Sequence, residues 1–270
     1  MFEFIADKSG KLTKITLNNV RDISYTNLMK LLRNKDVKVN GNRVSKDLLI
    51  NEGDKVTLYY KAQELKKFHL IFKDDNILVV DKKSGYESVE VYNDLLKEYS
   101  SVKFIHRLDR NTDGLLIFAL NDISEEELLK GFKNHSFDKK YHAVVYGKMS
   151  LKKEVLSAYL LKNSETATVK IFNKKVENSV MIKTGYEVLK ENEKTSELLV
   201  TLYTGKTHQI RAHLAHVGHF IIGDNKYGDA KINKLFSAKS QMLSAYSLTL
   251  FFDDKSPLSY LNNKTFTIER

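Results

Sequence analysis

The 270-residue sequence predicts an α+β fold in two domains, 1–63 and 64–270. Three observations carry that expectation. Short strand patterns divided by tight turns dominate the chain, with turn signals at Asn40-Gly41, Lys73 to Asn76 and Asn192 to Lys194. Helical patterns are confined to about 24–34, 124–133 and 207–217. A polar stretch, Lys61 to His69, reads as a linker between a small basic unit and the remainder.

Composition narrows the function classes. Hydrophobic residues make up 42% of the chain, enough for a sizeable core. No apolar run approaches the ~18 residues of a membrane-spanning helix. Met1 to Lys8 lack the charged-then-apolar order of a signal peptide. There are no cysteines, which excludes disulfides and thiolate metal sites and fits a reducing cytosol. The formal net charge of +10 favours a polyanionic partner, nucleic acid first. No basic amphipathic stretch stands out as a lipid anchor.

In the first domain, residues 1–20 alternate apolar and polar around Ser9-Gly10, the pattern of a short hairpin or edge strands. Ser24 is placed to cap a helix running to about Asn34, with Leu28, Leu31 and Leu32 on its buried face. Lys30 and Arg33 then point elsewhere, into water or onto a phosphate. Val37 to Val44 reads as two strands around Asn40-Gly41, a type I′ hairpin signal. Glu52-Gly53-Asp54 makes another turn, and Val56 to Tyr60 closes the unit. Lys38 and Arg43 add to its positive charge. The plain alternative is a capping subdomain with a solvated face.

In the second domain, Leu70-Ile71-Phe72 and Ile77 to Val80 form a hairpin that ends at Lys82-Lys83-Ser84-Gly85. Ser124 to Glu127 reads as a capping box opening a helix to about Lys133, with Leu128, Leu129 and Phe132 buried. Lys139 to Gly147 is a strand with Tyr141, Ala143 and Val145 on one face. Tyr141 is a core or rim residue, or a stacking platform; the spacing leaves both open. Short strands fill 150–203. Thr207 is the expected cap of a helix that ends before Gly218 and buries Ile210, Leu214 and Val217. Lys206, His208 and Arg211 crowd positive charge at its start, which opposes the helix dipole and suits a bound anion. Leu243 to Phe252 is a strong strand and Thr265 to Ile268 an edge strand.

Residues 105–118 carry the densest chemistry. His106, Arg107, Asp109 and Arg110 lead into a turn, Asn111 to Gly114, and then an apolar strand. By itself Asp109 reads as a turn aspartate bonded to its own backbone. Four histidines between 208 and 219 invite a metal reading. No His-Glu-x-x-His pattern and no cysteine accompany them, and Lys206 and Arg211 would repel a cation, so no metal is expected. Gly205-Lys206-Thr207 lacks the earlier glycine of a phosphate-binding loop.

The motifs are more informative in combination. His-Arg-Leu-Asp-x-x-Thr-x-Gly starts at His106, and Lys-x-Tyr-x-Ala-x-Val-x-Gly at Lys139. Thr-Gly-Lys-Thr-His-Gln-Ile-Arg-x-His-Leu-Ala-His-x-Gly-His starts at Thr204, and Gly-Asp-x-x-Tyr-Gly at Gly223. This ordered series resembles the RluA-type family of pseudouridine synthases. Residues 22–60, through the helix, Val37 to Val44 and Gly53-Asp54, resemble the small RNA-binding domain named after ribosomal small-subunit protein S-four. Together the resemblances cover about residues 22–250.

The resemblance implies a small α/β RNA-binding domain before a catalytic domain. The catalytic domain would be a long mixed, mostly antiparallel sheet with flanking helices, its cleft across the middle. It implies isomerisation of specific uridines in structured RNA, large-subunit ribosomal RNA first, with no protein partner. The reaction is redox-neutral, so no cofactor is expected. Asp109 matches the catalytic aspartate, Tyr141 the tyrosine packed on the uracil, and Arg211 the arginine paired with the aspartate. Arg107 matches the residue entering the RNA stack and Ile210 the apolar contact to the base. His106, Lys206 and Gln209 fall among the substrate contacts, and Lys30, Arg33, Lys38 and Arg43 among the RNA contacts of the first domain. Departures are Asp113 for a common Ser, Lys83 and Phe220 for Pro, Lys206 for Arg, and Ser244 for His. The rival reading is a catalytically idle ribosome-assembly factor on the same fold.

Overall fold

Two sets of buried apolar side chains, with no member in common, build two separate units, Met1–Lys66 and Lys67–Arg270. The computed structural model describes residues 1–20, 23, 25–60, 66–163 and 166–269. Ser24, the expected helix cap, and 61–65 of the expected linker lie outside the described residues, as does the expected boundary after residue 63. Among the described residues no helix is long and apolar enough to cross a membrane.

The first unit contains β1 (Phe2–Ile5), β2 (Gly10–Lys11), α1 (Leu12–Asn19), α2 (Tyr25–Arg33), β3 (Val37–Val39), β4 (Asn42–Val44), β5 (Leu49–Ile50) and β6 (Lys55–Leu58). Its main sheet has the order β1-β6-β3-β4, and β2 pairs with β5. Asn40 and Gly41 both have positive φ, as the two-residue hairpin between β3 and β4 requires. Of the two expectations for residues 1–20, the edge strand is found as β1, whereas no hairpin forms around Ser9-Gly10, since β1 pairs with β6 and β2 with β5. Helix α1 takes its place because Leu12, Ile15 and Thr16 fall on one buried face. Its first turn is capped from a distance: the Asp47 carboxylate accepts the Thr13 N–H and hydroxyl, each at 2.9 Å.

The second unit opens with β7 (Phe68–Lys73), β8 (Ile77–Lys82), α3 (Ser88–Glu98), β9 (Lys103–Phe104), β10 (Asp113–Ala119) and α4 (Asp122–Lys133). Then come β11 (Asp138–Tyr146), β12 (Lys153–Asn163), β13 (Thr168–Phe172), β14 (Val180–Glu191) and β15 (Thr195–Leu202). It ends with α5 (Gln209–His216), α6 (Ala230–Leu235), β16 (Leu243–Thr249) and β17 (Thr265–Thr267). One sheet of 11 strands runs β13-β12-β14-β15-β11-β16-β10-β8-β7, with β17 added to β16 and β9 to β10. It is a mixed sheet with flanking helices, and this α+β architecture is the one the sequence implied.

Local signals were displaced in several places. Helix α4 starts at Asp122, and its cap is Asn121, whose Oδ1 accepts the Ser124 N–H at 2.9 Å. Leu129 points outward instead of into the core. Helix α3 is an addition to the expected helices, and Glu87 and Glu90 form its capping box. The region 150–203 holds long strands, with 11 residues in β12 and 12 in β14, instead of short ones. The residue preceding α5 is His208, not Thr207, and Val217 is exposed.

The pairing of β10 with β16 is parallel, whereas the sheet's other described ladders are antiparallel. It aligns Asp113 with Ser244 and Gly114 with Ala245. Gly114 makes this approach possible: at its φ of +111° a Cβ would lie 2.4 Å from the Ala245 carbonyl oxygen. Gly114→Ala should therefore destabilise the second unit by about 2–4 kcal/mol in a urea melt, because the neighbour that must move is backbone.

Candidate active site

The loop before β10 is fixed bond by bond. Ser88 Oγ accepts the Leu108 N–H at 2.9 Å and donates to the Leu108 carbonyl at 3.1 Å. The Arg110 carbonyl accepts the Gly85 N–H at 2.9 Å and Lys82 Nζ at 3.1 Å. Ser84 Oγ donates to the Asn111 carbonyl at 3.0 Å, and the Thr112 hydroxyl accepts Gln241 Nε2 at 2.6 Å. Asp109 sits between these anchored neighbours, and its own carbonyl accepts the Thr112 N–H at 3.0 Å.

Lys82 lies wholly inside the protein, and its ammonium also donates to the carbonyls of Lys83 at 3.1 Å and Tyr86 at 2.8 Å. Burial pushes it down to about 8, against the partial opposition of Asp113 and Asp109. At the end of an apolar strand such a lysine reads as a solvated terminus, so no sequence signal marked it.

Opposite the loop, α5 supplies Arg211. Its Nε and Nη2 donate to the two oxygens of Asp224 at 2.7 and 2.9 Å, and its Nη1 donates to Asp109 Oδ2 at 2.8 Å. The Arg211 side chain is 9% exposed and that of Asp224 0%. Burial disfavours the guanidinium charge, but Asp224 and then Asp109 outweigh it and push Arg211 upward. Asp224 also is held ionised: burial works against its charge, and Arg211 overcomes that. Its Oδ1 accepts the N–H groups of Lys226 and Tyr227 at 2.8 and 3.1 Å. Asp224 and Tyr227 belong to the Gly-Asp-x-x-Tyr-Gly motif, whose spacing alone does not show the bond to Arg211.

A cavity of about 340 Å³ opens over Asp109. The structure brings His106, Arg107, Tyr141, Lys206, Gln209, Ile210 and Arg211 to its lining, together with His208, expected only as part of a positive helix start, Phe132, expected only as a buried helix residue, Lys139 and His135. Tyr141 stands at a bulge where β11 shifts register against β16, and it pairs with Ala245. Burial and then Asp109 push its phenol up, so the ring stays protonated at neutral pH. His106 accepts the Ile117 N–H on Nε2 at 3.2 Å and stacks on Phe132 at 4.4 Å. Burial, with Lys139 nearby, pushes this imidazole down to about 3, so it forms a neutral wall.

Gln209 differs from the expected substrate contact. Its Oε1 accepts the Thr204 hydroxyl and the Lys206 N–H, and its Nε2 donates to the Lys183 carbonyl and the Thr184 hydroxyl, at 2.9 to 3.2 Å. With all four amide bonds made within the chain, it shapes the loop instead of offering a group to a ligand. Arg107 and Lys206 are exposed at the cavity.

In the first unit, Lys38 Nζ and the Arg43 guanidinium lie 5.2 and 5.7 Å from the centre of the Tyr59 ring. Arg43 also donates to the Lys35 carbonyl at 2.8 Å. Lys30 and Arg33 are exposed in the last turn of α2.

A mixed sheet carrying a cleft with one buried arginine between two carboxylates defines a class, and comparison with known proteins identifies it. The profile of the family described as RNA pseudouridylate synthase matches residues 67–216. The chain belongs to this family and is an RNA pseudouridine synthase, an isomerase. It is 36% identical over 193 residues to a protein of Helicobacter pylori named as an uncharacterized RNA pseudouridine synthase, covering 71% of this chain and 74% of that one. It is 31% identical over 235 residues to the ribosomal large subunit pseudouridine synthase C of Rickettsia conorii, covering 75% of this chain and 77% of that one. The structure of human RNA Pseudouridylate Synthase Domain Containing 1 superposes with a TM-score of 0.62 at 25% identity, over 70% of this chain and 80% of that chain.

Lys82 gives a pH test. Its folded pKa, about 8, lies below the ordinary 10.5, so the unfolded chain binds this proton more tightly. Between those two values the contribution of Lys82 to stability must rise with pH. The stability of wild type minus that of Lys82→Met, from urea melts, should accordingly increase between about pH 7 and about pH 10. The same substitution should lower turnover by about 10²-fold, because it releases the Arg110 carbonyl next to Asp109.

Proposed function

We propose that the chain isomerises specific uridines in large-subunit ribosomal RNA, with the Asp109 carboxylate as the reacting group. The observation that carries this reading is that, among the described residues, one hydrogen bond reaches the Asp109 carboxylate. Oδ2 accepts Arg211, and among the described residues no hydrogen bond reaches Oδ1, which is left to a ligand in the cavity. Pseudouridine formation breaks the N-glycosidic bond, turns the uracil and rejoins it to the sugar through carbon. It needs an ionised carboxylate, as nucleophile at the sugar or as base at C2′. The protonated Tyr141 ring and Ile210 would take the faces of the flipped base, while Arg107 fills the gap left in the RNA stack. The names of relatives that modify ribosomal RNA support the choice of target. The intact Asp109, Tyr141 and Arg211 set argues against an idle assembly factor.

Release of tritium from C5-labelled uridine in ribosomal RNA tests the reading. Asp109→Asn should lower release by roughly 10³-fold or more, with RNA binding retained. Equal release from both proteins would falsify the assignment of Asp109.

The proposal extends to the first unit as an S-four-type RNA-binding domain. Lys38, Arg43 and Tyr59 offer cationic and ring surface together, and Lys30 and Arg33 extend the charge along α2. Replacing Lys30, Arg33, Lys38 and Arg43 by Gln should reduce the slope of log K against log salt by about 3. An unchanged slope would make this unit a structural cap.

A further inference from the structure

His208 lines the cavity, and its Nε2 lies 3.8 Å from Asp109 Oδ2. We propose that His208 is a positioning residue for Asp109. Tyr227 would hold it in the Nε2–H tautomer, so that a second donor beside Arg211 fixes Oδ2 and leaves Oδ1 to the substrate. The inference rests on the reading of Asp109 as the reacting carboxylate.

Hydrogen-bond accounting leads to this tautomer. The Tyr227 hydroxyl oxygen accepts the Val169 N–H at 2.9 Å and lies 2.9 Å from His208 Nδ1. Its single hydrogen remains to be placed, and no other acceptor for it is bonded among the described residues. Given to Nδ1, that hydrogen makes Nδ1 an acceptor and leaves the ring proton on Nε2. Nε2 faces Asp109 Oδ2 at 3.8 Å. A movement of about 1 Å closes that gap to a hydrogen bond, the kind of tightening seen when substrate enters a site.

The backbone aims the ring. His208 has a φ of 54°, a left-handed conformation that non-glycine residues adopt uncommonly, at the residue preceding α5. Tyr227 is itself anchored, since its N–H donates to Asp224 and its ring lies 5.3 Å from the Arg211 guanidinium. Val169, Tyr227 and His208 thus connect the edge strand β13 to the carboxylate. Burial favours the neutral ring; Asp109 opposes that preference and Arg211 reinforces it, and the net direction is downward. A charged ring would carry a proton on Nδ1 that meets the phenolic hydrogen, so the relay is consistent only with neutral His208.

A long-range proton–nitrogen spectrum of the full chain labelled at histidine reads the tautomer directly. His208 should show a bare Nδ1 and a protonated Nε2; the opposite assignment overturns the proposal. Kinetics on C5-tritiated ribosomal RNA provide the second arm. His208→Gln places an amide N–H near the Nε2 position, and His208→Asn keeps a polar group only near Nδ1. The Gln variant should keep kcat within about threefold, whereas the Asn variant should lose about 10- to 100-fold with KM little changed. Tyr227→Phe keeps the ring over Arg211 and should show mixed tautomers. An Asn variant as active as the Gln variant, or a Gln variant as impaired as Asn, overturns the proposal. Should wild type release no tritium from any ribosomal RNA, the proposed function fails, while the spectrum still decides the tautomer.

Discussion

Arg211 is the charge on which the second unit's cleft depends. It is buried, and a buried guanidinium is tolerable only when its donors are matched. Five N–H groups are available on the fork. The chain gives the parallel pair, Nε and Nη2, to Asp224, and one end group to Asp109. This division has a chemical consequence. A bidentate bond to Asp109 would occupy both of its oxygens and resist any change in its bonding. The bidentate partner is instead Asp224, which needs only to hold the arginine still. Two carboxylates against one guanidinium also leave the trio with more negative than positive groups, and among the described residues no hydrogen bond reaches the second oxygen of Asp109.

The trio joins residues that are 102 positions apart in sequence, so the sheet has to deliver them accurately. It does so through β16, which takes β10 on one side in parallel and β11 on the other in antiparallel pairing. Ala245 is the common neighbour. Gly114 approaches it on one side and Tyr141, at its bulge, on the other. A side chain at position 114 would push β10 away, and with it the loop that carries Asp109. The clamp from Lys82, Ser84, Gly85 and Ser88 then removes the remaining freedom of that loop. Precision at Asp109 comes from backbone contacts more than from the aspartate's own bonds.

This explains which features could be read from the sequence. The strands around Leu115 to Leu120 and Lys139 to Gly147 were legible because apolar runs and alternation report burial locally. The Arg211–Asp109 pairing and the place of Tyr141 at the same cavity were legible because their motifs occur in a fixed order. Helix α1 was hidden because its cap, Asp47, lies 34 residues away. Lys82 was hidden because its three acceptors are backbone carbonyls, which carry no side-chain signature. The bonding of Gln209 is hidden for a related reason: its partners, Thr184, Lys183, Thr204 and Lys206, are brought together only by the fold.

The distribution of charge in the cleft also separates two parts of an RNA ligand. Inside, three of the lining groups that could contact a base, those of His106, Tyr141 and Ile210, are uncharged at neutral pH. The His106 imidazole is pushed down and the Tyr141 phenol up, in both cases chiefly by burial. Ile210 adds an apolar surface. The exposed cations Arg107 and Lys206 stand at the cavity's edge, where a phosphate can reach them without being desolvated. A phosphate drawn further in would meet the negative trio at Asp109. A neutral base meets no such penalty, and stacking on a ring offsets part of the cost of leaving its own stack. The same burial that keeps His106 and Tyr141 neutral therefore favours entry of a base over entry of a phosphate.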